Sequence, residues 1–295
     1  MTTELVPSST RSNSPGMRML RQIFRNRSAQ IGGILLIVLI FITYAAPLFT
    51  DKNPIKNEPS SALKPPSLEH PMGTDNVGRD NFTRFLYGGQ LSLRVGLIGI
   101  TIGSLVGIFL GLVSGYFGGA LDMFISWFND VLMAFPDILL ALAIIAILGP
   151  GINNAMLAIG ISFVPSFIRL TRSSVLALRE MTYIEAAHAL GSSNARILLK
   201  HILPNSIRTL LVLITLGIGS SILSGAALNF LGLGAEPPTP EWGAMLDAGM
   251  KFVRQAWWLT VFPGLGIFFA VLSINLIGDA VSDAMAGTNI IQEKK

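Results

Sequence analysis

Asp122, Asp130 and Asp137, with Asn129 and Pro136 among them, place carboxylates within or beside an otherwise apolar run. An unpaired carboxylate at the centre of a spanning helix costs about 2.5–3.5 kcal/mol on insertion scales. These groups therefore need a cation, a water-filled cavity or the membrane edge. In one reading Asp130 and Asp137, with Asn275 in the last apolar run, shape the polar entrance of a translocation path. In the other, the carboxylates pair with nearby arginines and hold the fold together. Paired carboxylates could also serve an intramembrane enzyme, but no protease-type motif surrounds them. His70, His188 and His201 are scattered without metal-ligand spacing, and cysteine is absent, which removes thiolate ligands, thiol nucleophiles and disulfides. No G-x-x-x-x-G-K-S/T run occurs, so no phosphate-cradling loop of that type exists. The expectation is a chain with no catalytic, cofactor-binding or metal site of its own.

The stretch from Arg179 to Asn205 suits mechanical work better than covalent chemistry. It is polar and basic, yet it lies between long apolar runs. Gly191 reads as the end of one helix, because glycine accepts the left-handed conformation found just past a helix terminus. Ser192 or Ser193 can cap a second short helix, expected to stop before Pro204. Ala186 and Ala187 would let another backbone approach closely, and Ile184, Leu190, Ile197 and Leu198 would supply apolar anchors. The pattern predicts a surface that docks a partner at the foot of a membrane domain.

The elements that hold this surface are spans. Of 295 residues, 51% are apolar and only 13% charged, a membrane composition. Crossing a bilayer core takes about 20 helical residues. Runs of that kind lie at 30–49, 91–115, 124–148, 152–171, 207–233 and 258–280, the fourth interrupted by Asn153, Asn154 and Pro165. Residues 1–29 read as a hydrophilic N-terminal tail with Arg11, Arg18, Arg21, Arg25 and Arg27, followed by a first span expected to be retained; the alternative is a signal peptide cleaved near Ala45-Ala46, whose apolar run would be longer than usual. Residues 50–90 divide into an extended, proline-rich linker and an amphipathic helix with Phe82, Phe85 and Leu86 on one side, expected to lie in the interface. Gly99, Gly103, Gly107, Gly111 and Gly115 recur every four residues, a stripe that permits close helix contact in lipid. The stripe suits either a permanently packed helix pair or a smooth face on which two bundles rock. Trp242, Trp257 and Trp258 are expected in the headgroup belt, with an outer, partly re-entrant lid between the last two spans. The pI near 9.6 comes without a dense basic patch interleaved with aromatics, which argues against nucleic acid.

Several motifs resemble one family. Glu185-Ala186-Ala187, Gly191 six residues on and Leu203-Pro204 twelve further resemble the EAA loop of ABC importer permeases. The flanks LREMTYIEAAHALG and KHILPN are more narrowly similar to C-type permeases of the dipeptide, oligopeptide and nickel group. So are GTDNVGRDNFTRFLYGGQLSL, LNFLGLGAEPPTPEWGAML and NLIGDAVSD. There are departures: Thr83 stands at the usual Ser, Gln90 and Trp127 at usual Arg positions, and Gly225 at a usual Glu. Ala286-Gly287-Thr288 replaces the usual DPR. The resemblance runs from about residue 20 to 285.

It implies an all-α integral membrane protein with six transmembrane helices, the type I ABC importer (MetI-like) transmembrane domain. Its permease core would span 91–285, with the cytoplasmic coupling loop at 172–205 and a cytoplasmic tail at 286–295. It also implies a homologous B-type permease subunit, two ATPase subunits that bind ATP and Mg, and an extracytoplasmic solute-binding protein. Both termini would lie in the cytoplasm. Coupling would fall on Tyr183, Ile184, Glu185, Ala186, Ala187, Leu190, Gly191, His201, Leu203, Pro204 and Asn205. The substrates implied are di- and oligopeptides, with nickel chelates, glutathione or another small solute as alternatives. A gradient-driven secondary carrier would often show an internal repeat with ionisable groups in matching halves, and neither is visible.

Overall fold

In the computed structural model, residues 21–293 are described, with side chains through Met285. The expected N-terminal tail falls largely on 1–20, including Arg11 and Arg18, outside the described residues. The first long helix, α1 (Arg27–Tyr44), starts where the Asn26 side chain accepts from the Ser28 amide at 2.8 Å. Next comes α2 (Asn81–Phe117), capped by Asp80 and ended by Gly118 at φ +65°. Then follow α3 (Gly119–Met133), α4 (Asp137–Leu148) and α5 (Ile152–Arg179). Beyond them lie two short helices, α6 (Thr182–Ala189) and α7 (Asn194–Ile197), and then α8 (Leu203–Phe230), α9 (Trp242–Met250) and α10 (Trp258–Glu293).

Among the described residues, five stretches are long and apolar enough to cross a membrane: α1, α2, α5, the run Asn194–Phe230 and α10 through Met285. The sixth expected span, 124–148, is not one straight helix. It is the pair α3 and α4, bent by 97°. Pro136 explains the break, since it sits as the extended residue just before α4, and a residue preceding proline is driven out of the helical region. Conversely, Asn153, Asn154 and Pro165 do not interrupt the fourth span, and α5 runs unbroken through all three. Asn154 turns its amide onto the Leu148 and Gly149 carbonyls, supplying donors where α4 ends.

The centre of the bundle is the pair α2 and α5. All five glycines of the stripe face α5 or lie against it. A Cβ at Gly103 would fall 2.7 Å from Phe163 Cβ and 2.9 Å from the Gly160 carbonyl oxygen, and one at Gly111 would fall 2.6 Å from Thr171 Cβ. Gly160 repeats the arrangement from the other side, against Ile102. Backbones this close gain dispersion contacts that larger residues would prevent. Ile159, Phe163 and Phe167 fill the space beside the stripe, with Ile100 of α2 itself and Ile145 and Leu228 from α4 and α8.

Residues 50–80 depart from the expected loose linker. Apart from one short turn at Pro59–Ser61 they are irregular, yet tied down at many points. Buried Asp80 accepts from the Thr83 amide (2.9 Å), the Thr83 hydroxyl (2.7 Å) and Lys52 (3.2 Å), and lies 2.7 Å from His70 Nδ1. Arg84 donates to the Pro54 and Pro238 carbonyls, joining the segment to the loop after α8. The expected interfacial helix is likewise not separate, since its residues form the first turns of α2. Phe85 and Leu86 are buried there by protein packing, chiefly beside Trp242. Trp242 and Trp258 are accordingly not belt residues. Trp242 is fully buried, and Trp258 donates its indole N–H to the Thr74 carbonyl at 3.1 Å. Trp257 alone of the three is exposed. At the other terminus, α10 continues through Glu293, so most of the expected tail 286–295 is helical.

Candidate functional site: the coupling helices

The motif region lies where α5 and α8 emerge from the bundle. α5 ends at Arg179, whose guanidinium donates to the Gly115 carbonyl at 3.2 Å and so fastens the exit of α5 to the end of α2. Arg172, two turns earlier, makes a bidentate pair with Asp122 in the first turn of α3, at 2.6 and 2.7 Å, and Ser114 and Ser126 also donate to that carboxylate. Arg169 lies 3.5 Å from Asp130 in an exposed pair. Two of the three embedded carboxylates thus meet arginines of α5. Asp137 is exposed in the first turn of α4, and Asn275 is exposed on α10 with its side-chain oxygen against Gly219. Among the described residues no hydrogen bond or ion pair joins Asp130, Asp137 and Asn275 to one another.

The helix break falls at Gly191, which has φ +75°. Nothing lies within 4 Å of where its Cβ would be, so glycine serves backbone conformation here and not close packing. Its amide and that of Ser192 donate back to His188 and Ala187, closing the end of α6. Ser193 caps α7 by accepting from the Arg196 amide. The second helix does not stop before Pro204. A π turn at Leu198–Ile202 joins α7 to α8, and Pro204 sits in the first turn of α8. The backbone is helical throughout this run, and the π turn just before Pro204 is the irregularity at which the ladder accommodates a residue that cannot donate. Asn205 then donates its side-chain amide to the His201 carbonyl at 2.6 Å, across the turn that Pro204 leaves a donor short.

α6 has two distinct sides. Ile184 and Ala187 point inward and pack with Leu112, Val175, Ile197 and Ile202. Ala187 is therefore not available for approach by another backbone; its small side chain lets α6 sit close to its own bundle. Ile197 is likewise an internal anchor. The outward side carries Tyr183, Glu185, Ala186, His188 and Leu190, the last 86% exposed, with Met181 and Leu199 beside them. His201 and Leu203 are half-buried, while Pro204 and Asn205 are exposed. Tyr116, in the last turn of α2, joins this region through its side chain. Its hydroxyl donates to Asn194 at 2.9 Å, and its ring lies parallel to His188 at a centroid distance of 6.2 Å. No local pattern marks Tyr116, because its partners are more than 70 residues away.

The arrangement is a short helix seated on two spans by apolar contacts, presenting an exposed face of mixed apolar and polar groups. Contiguous exposed apolar groups with a polar rim mark an interaction surface. The bundle above it defines an all-helical, membrane-embedded domain. Residues 107–287 match the model of the binding-protein-dependent transport system inner membrane component, and residues 14–66 match that of the N-terminal TM domain of oligopeptide transport permease C. The chain belongs to the first of these families. It is 48% identical to the dipeptide transport system permease protein DppC of Alkalihalophilus pseudofirmus over 92% of this chain and 90% of that one. It is 44% identical to the glutathione transport system permease protein GsiD of Shigella dysenteriae, over 91% and 88%. Among solved structures, an inward-facing MetNI methionine ABC transporter chain aligns with a TM-score of 0.55 at 18% identity, covering 68% of this chain and 96% of that one. An amino acid ABC transporter solved with histidines aligns at 0.52 and 17%, covering 66% and 91%. Those two likenesses bear on the fold.

Proposed function

We propose that this chain forms one half of the translocation path of an ATP-driven importer for di- and oligopeptides in the cytoplasmic membrane. The observation that carries the substrate class is the 48% identity to a dipeptide permease across nearly the whole of both chains. A homologous B-type permease supplies the other half. Two ATPase subunits bind ATP and Mg, and an extracytoplasmic binding protein delivers cargo. The termini and the coupling helices face the cytoplasm. The exposed face of α6 docks on an ATPase, with Leu190 as its most exposed apolar group and Glu185 setting polar contacts.

The inward side of α6 explains how force travels. Ile184 and Ala187 touch side chains from α2, α5 and the α7–α8 turn, so displacing α6 displaces both members of the glycine-stripe pair together. Nucleotide-driven closure of the ATPases then switches the spans between inward- and outward-facing states. The lack of a phosphate-cradling loop in this chain is consistent with fuel bound elsewhere.

Uptake of a labelled dipeptide into cells that also express the partner permease, ATPase and binding-protein subunits, with and without this chain, tests the reading. Dependence on the chain and on ATP supports it. The second reading, glutathione as cargo, is favoured by the 44% identity to a glutathione permease. Chain-dependent uptake of glutathione with no competition by dipeptides would select it.

A further inference from the structure

The two coupling helices meet at a break that the backbone does little to stiffen. Gly191 separates α6 from α7 at φ +75°, exposed, with nothing within 4 Å of where a Cβ would sit. A glycine so placed can change its dihedrals without meeting a neighbour, and hinges absorb displacement at such residues. α6 follows α5 directly, whereas it reaches α8 only through Gly191, α7 and the π turn. Ile184 and Ala187 of α6 share an apolar cluster with Ile197 of α7. Apolar contact is non-directional, so it does not by itself fix the angle between two short helices.

One side chain reaches both sides of the break. The Tyr116 hydroxyl donates to the Asn194 side-chain oxygen at 2.9 Å, at the start of α7, and lies 3.3 Å from His188 Nε2 in the last turn of α6. Its ring lies parallel to that of His188 and packs against the apolar cluster. The base of this side chain is fixed on the α2–α5 pair. Gly115, one residue earlier, ends the glycine stripe; its Cβ would come 2.8 Å from Val175 Cβ, and its carbonyl accepts from Arg179 at 3.2 Å. A second group of the same three residue types joins the start of α6 to α8. There the Tyr183 and His201 rings lie 6.4 Å apart, and Asn205 reaches the Tyr183 hydroxyl at 3.5 Å. That contact is longer and includes neither α2 nor α7.

We propose that Tyr116 is a positioning residue for coupling: its hydroxyl holds α6 and α7 as one unit on the end of α2. A push on α6 then reaches α2, α5 and α8 together instead of being absorbed at Gly191. This role rests on the importer reading and lies outside the EAA-type motif. The hydroxyl is the part that matters. A phenylalanine ring would stack on His188 and pack on the cluster in the same way, but only the hydroxyl meets groups of both helices at one atom.

The test uses the full importer in proteoliposomes, with its binding protein, as parent and as Tyr116→Phe. The quantity read is labelled dipeptide taken up per ATP hydrolysed, or labelled glutathione should that be the cargo. The ratio is expected to fall about fivefold in Tyr116→Phe, the effect of losing about one hydrogen bond from the coupled arrangement, while the ATPase co-purifies as in the parent. A hydroxyl that served folding alone would lower uptake and hydrolysis together, so an unchanged ratio overturns the proposal. Loss of the ATPase from the variant would make the hydroxyl an assembly contact and overturn it equally. Asn194→Ala gives a second arm, because alanine suits a helix and leaves Tyr116 whole. It should lower the ratio too, and the double variant should fall no further than Tyr116→Phe alone; effects that add in full overturn the proposal. A parent complex whose uptake did not depend on ATP would overturn the importer reading and this role with it, whereas an unchanged ratio in the variant overturns only the role of Tyr116.

Discussion

The two ends of this bundle handle polar groups in opposite ways. At the α9 end, Asp80, His70, Arg84, Glu241 and Ser92 are buried and find their hydrogen-bond partners within the chain. At the coupling end, Glu185, His188, Leu190 and Leu199 stand at the surface, and apolar groups are exposed beside charged ones. Buried polar groups need partners to offset lost hydration, and at the first end this chain supplies those partners itself. Exposed leucines beside polar groups describe a surface completed by another protein. One end is therefore expected to govern stability and the other to govern association.

Trp242→Ala tests the first half of that contrast and should have the largest effect. It removes a fully buried indole, its stack on Phe85 and its hydrogen bond, which costs about 3–5 kcal/mol. A marked fall in the thermal midpoint of the detergent-purified chain is the expected result. The fraction still folded should bind the ATPase normally, because α6 lies at the opposite end. Loss of binding in that fraction would break the contrast.

Gly103→Leu comes next and bears on what joins the two ends. Its new side chain meets Phe163 and the Gly160 carbonyl at the centre of the α2–α5 pair. Overpacking of this kind costs about 1–3 kcal/mol, or more where backbone must move. Reduced accumulation of full-length protein in membranes would follow. If the variant accumulates and melts like the parent, the stripe is not a packed contact.

The coupling end was more legible in the sequence than the end that opposes it. The break at Gly191 and the cap at Ser193 are local signals, decided by backbone conformation and a side chain reaching three residues on. Which way Ala187 faces is decided by Leu112 and Val175, neither of which its own segment specifies. The same holds for Trp242 and Trp258. A tryptophan at a span boundary reads as a headgroup anchor until Phe85 and Thr74 arrive from elsewhere in the chain to bury it. The linker 50–80 looked loose because its restraints are side chain to backbone and long-range, with almost no helix to betray them. Pro204 misled for a different reason. Proline disfavours a regular helix interior, and here a π turn just before it lets the helical run continue through residue 204.

Replacing Leu190 and Leu199 together by Asp tests the second half of the contrast. Both are exposed, so the change in thermal midpoint should be small, within about 0.5 kcal/mol. Co-purification of the ATPase and ATP-driven uptake should both be lost. A variant that keeps the ATPase would place docking elsewhere.

The finest distinction concerns pH at the α9 end, where two buried carboxyls are shifted in opposite directions. Asp80 is desolvated, which alone would raise its value, yet hydrogen bonds from His70 and Thr83 and the charge of Lys52 leave it below the ordinary 3.8. A carboxylate lowered by folding contributes stability that is complete above its unfolded value and is lost as the pH falls through the folded one. The Asp80 contribution should therefore persist at neutral pH and fade only below about pH 4, whereas that of Glu241 fades as the pH rises through about 7. Asp80→Ala also removes the cap of α2, worth about 1 kcal/mol. The difference in thermal midpoint between parent and variant, followed downward from neutral pH, should stay constant and then shrink in the acid limb. A difference that shrank instead near neutrality would show that Asp80 does not carry the pH dependence of this network.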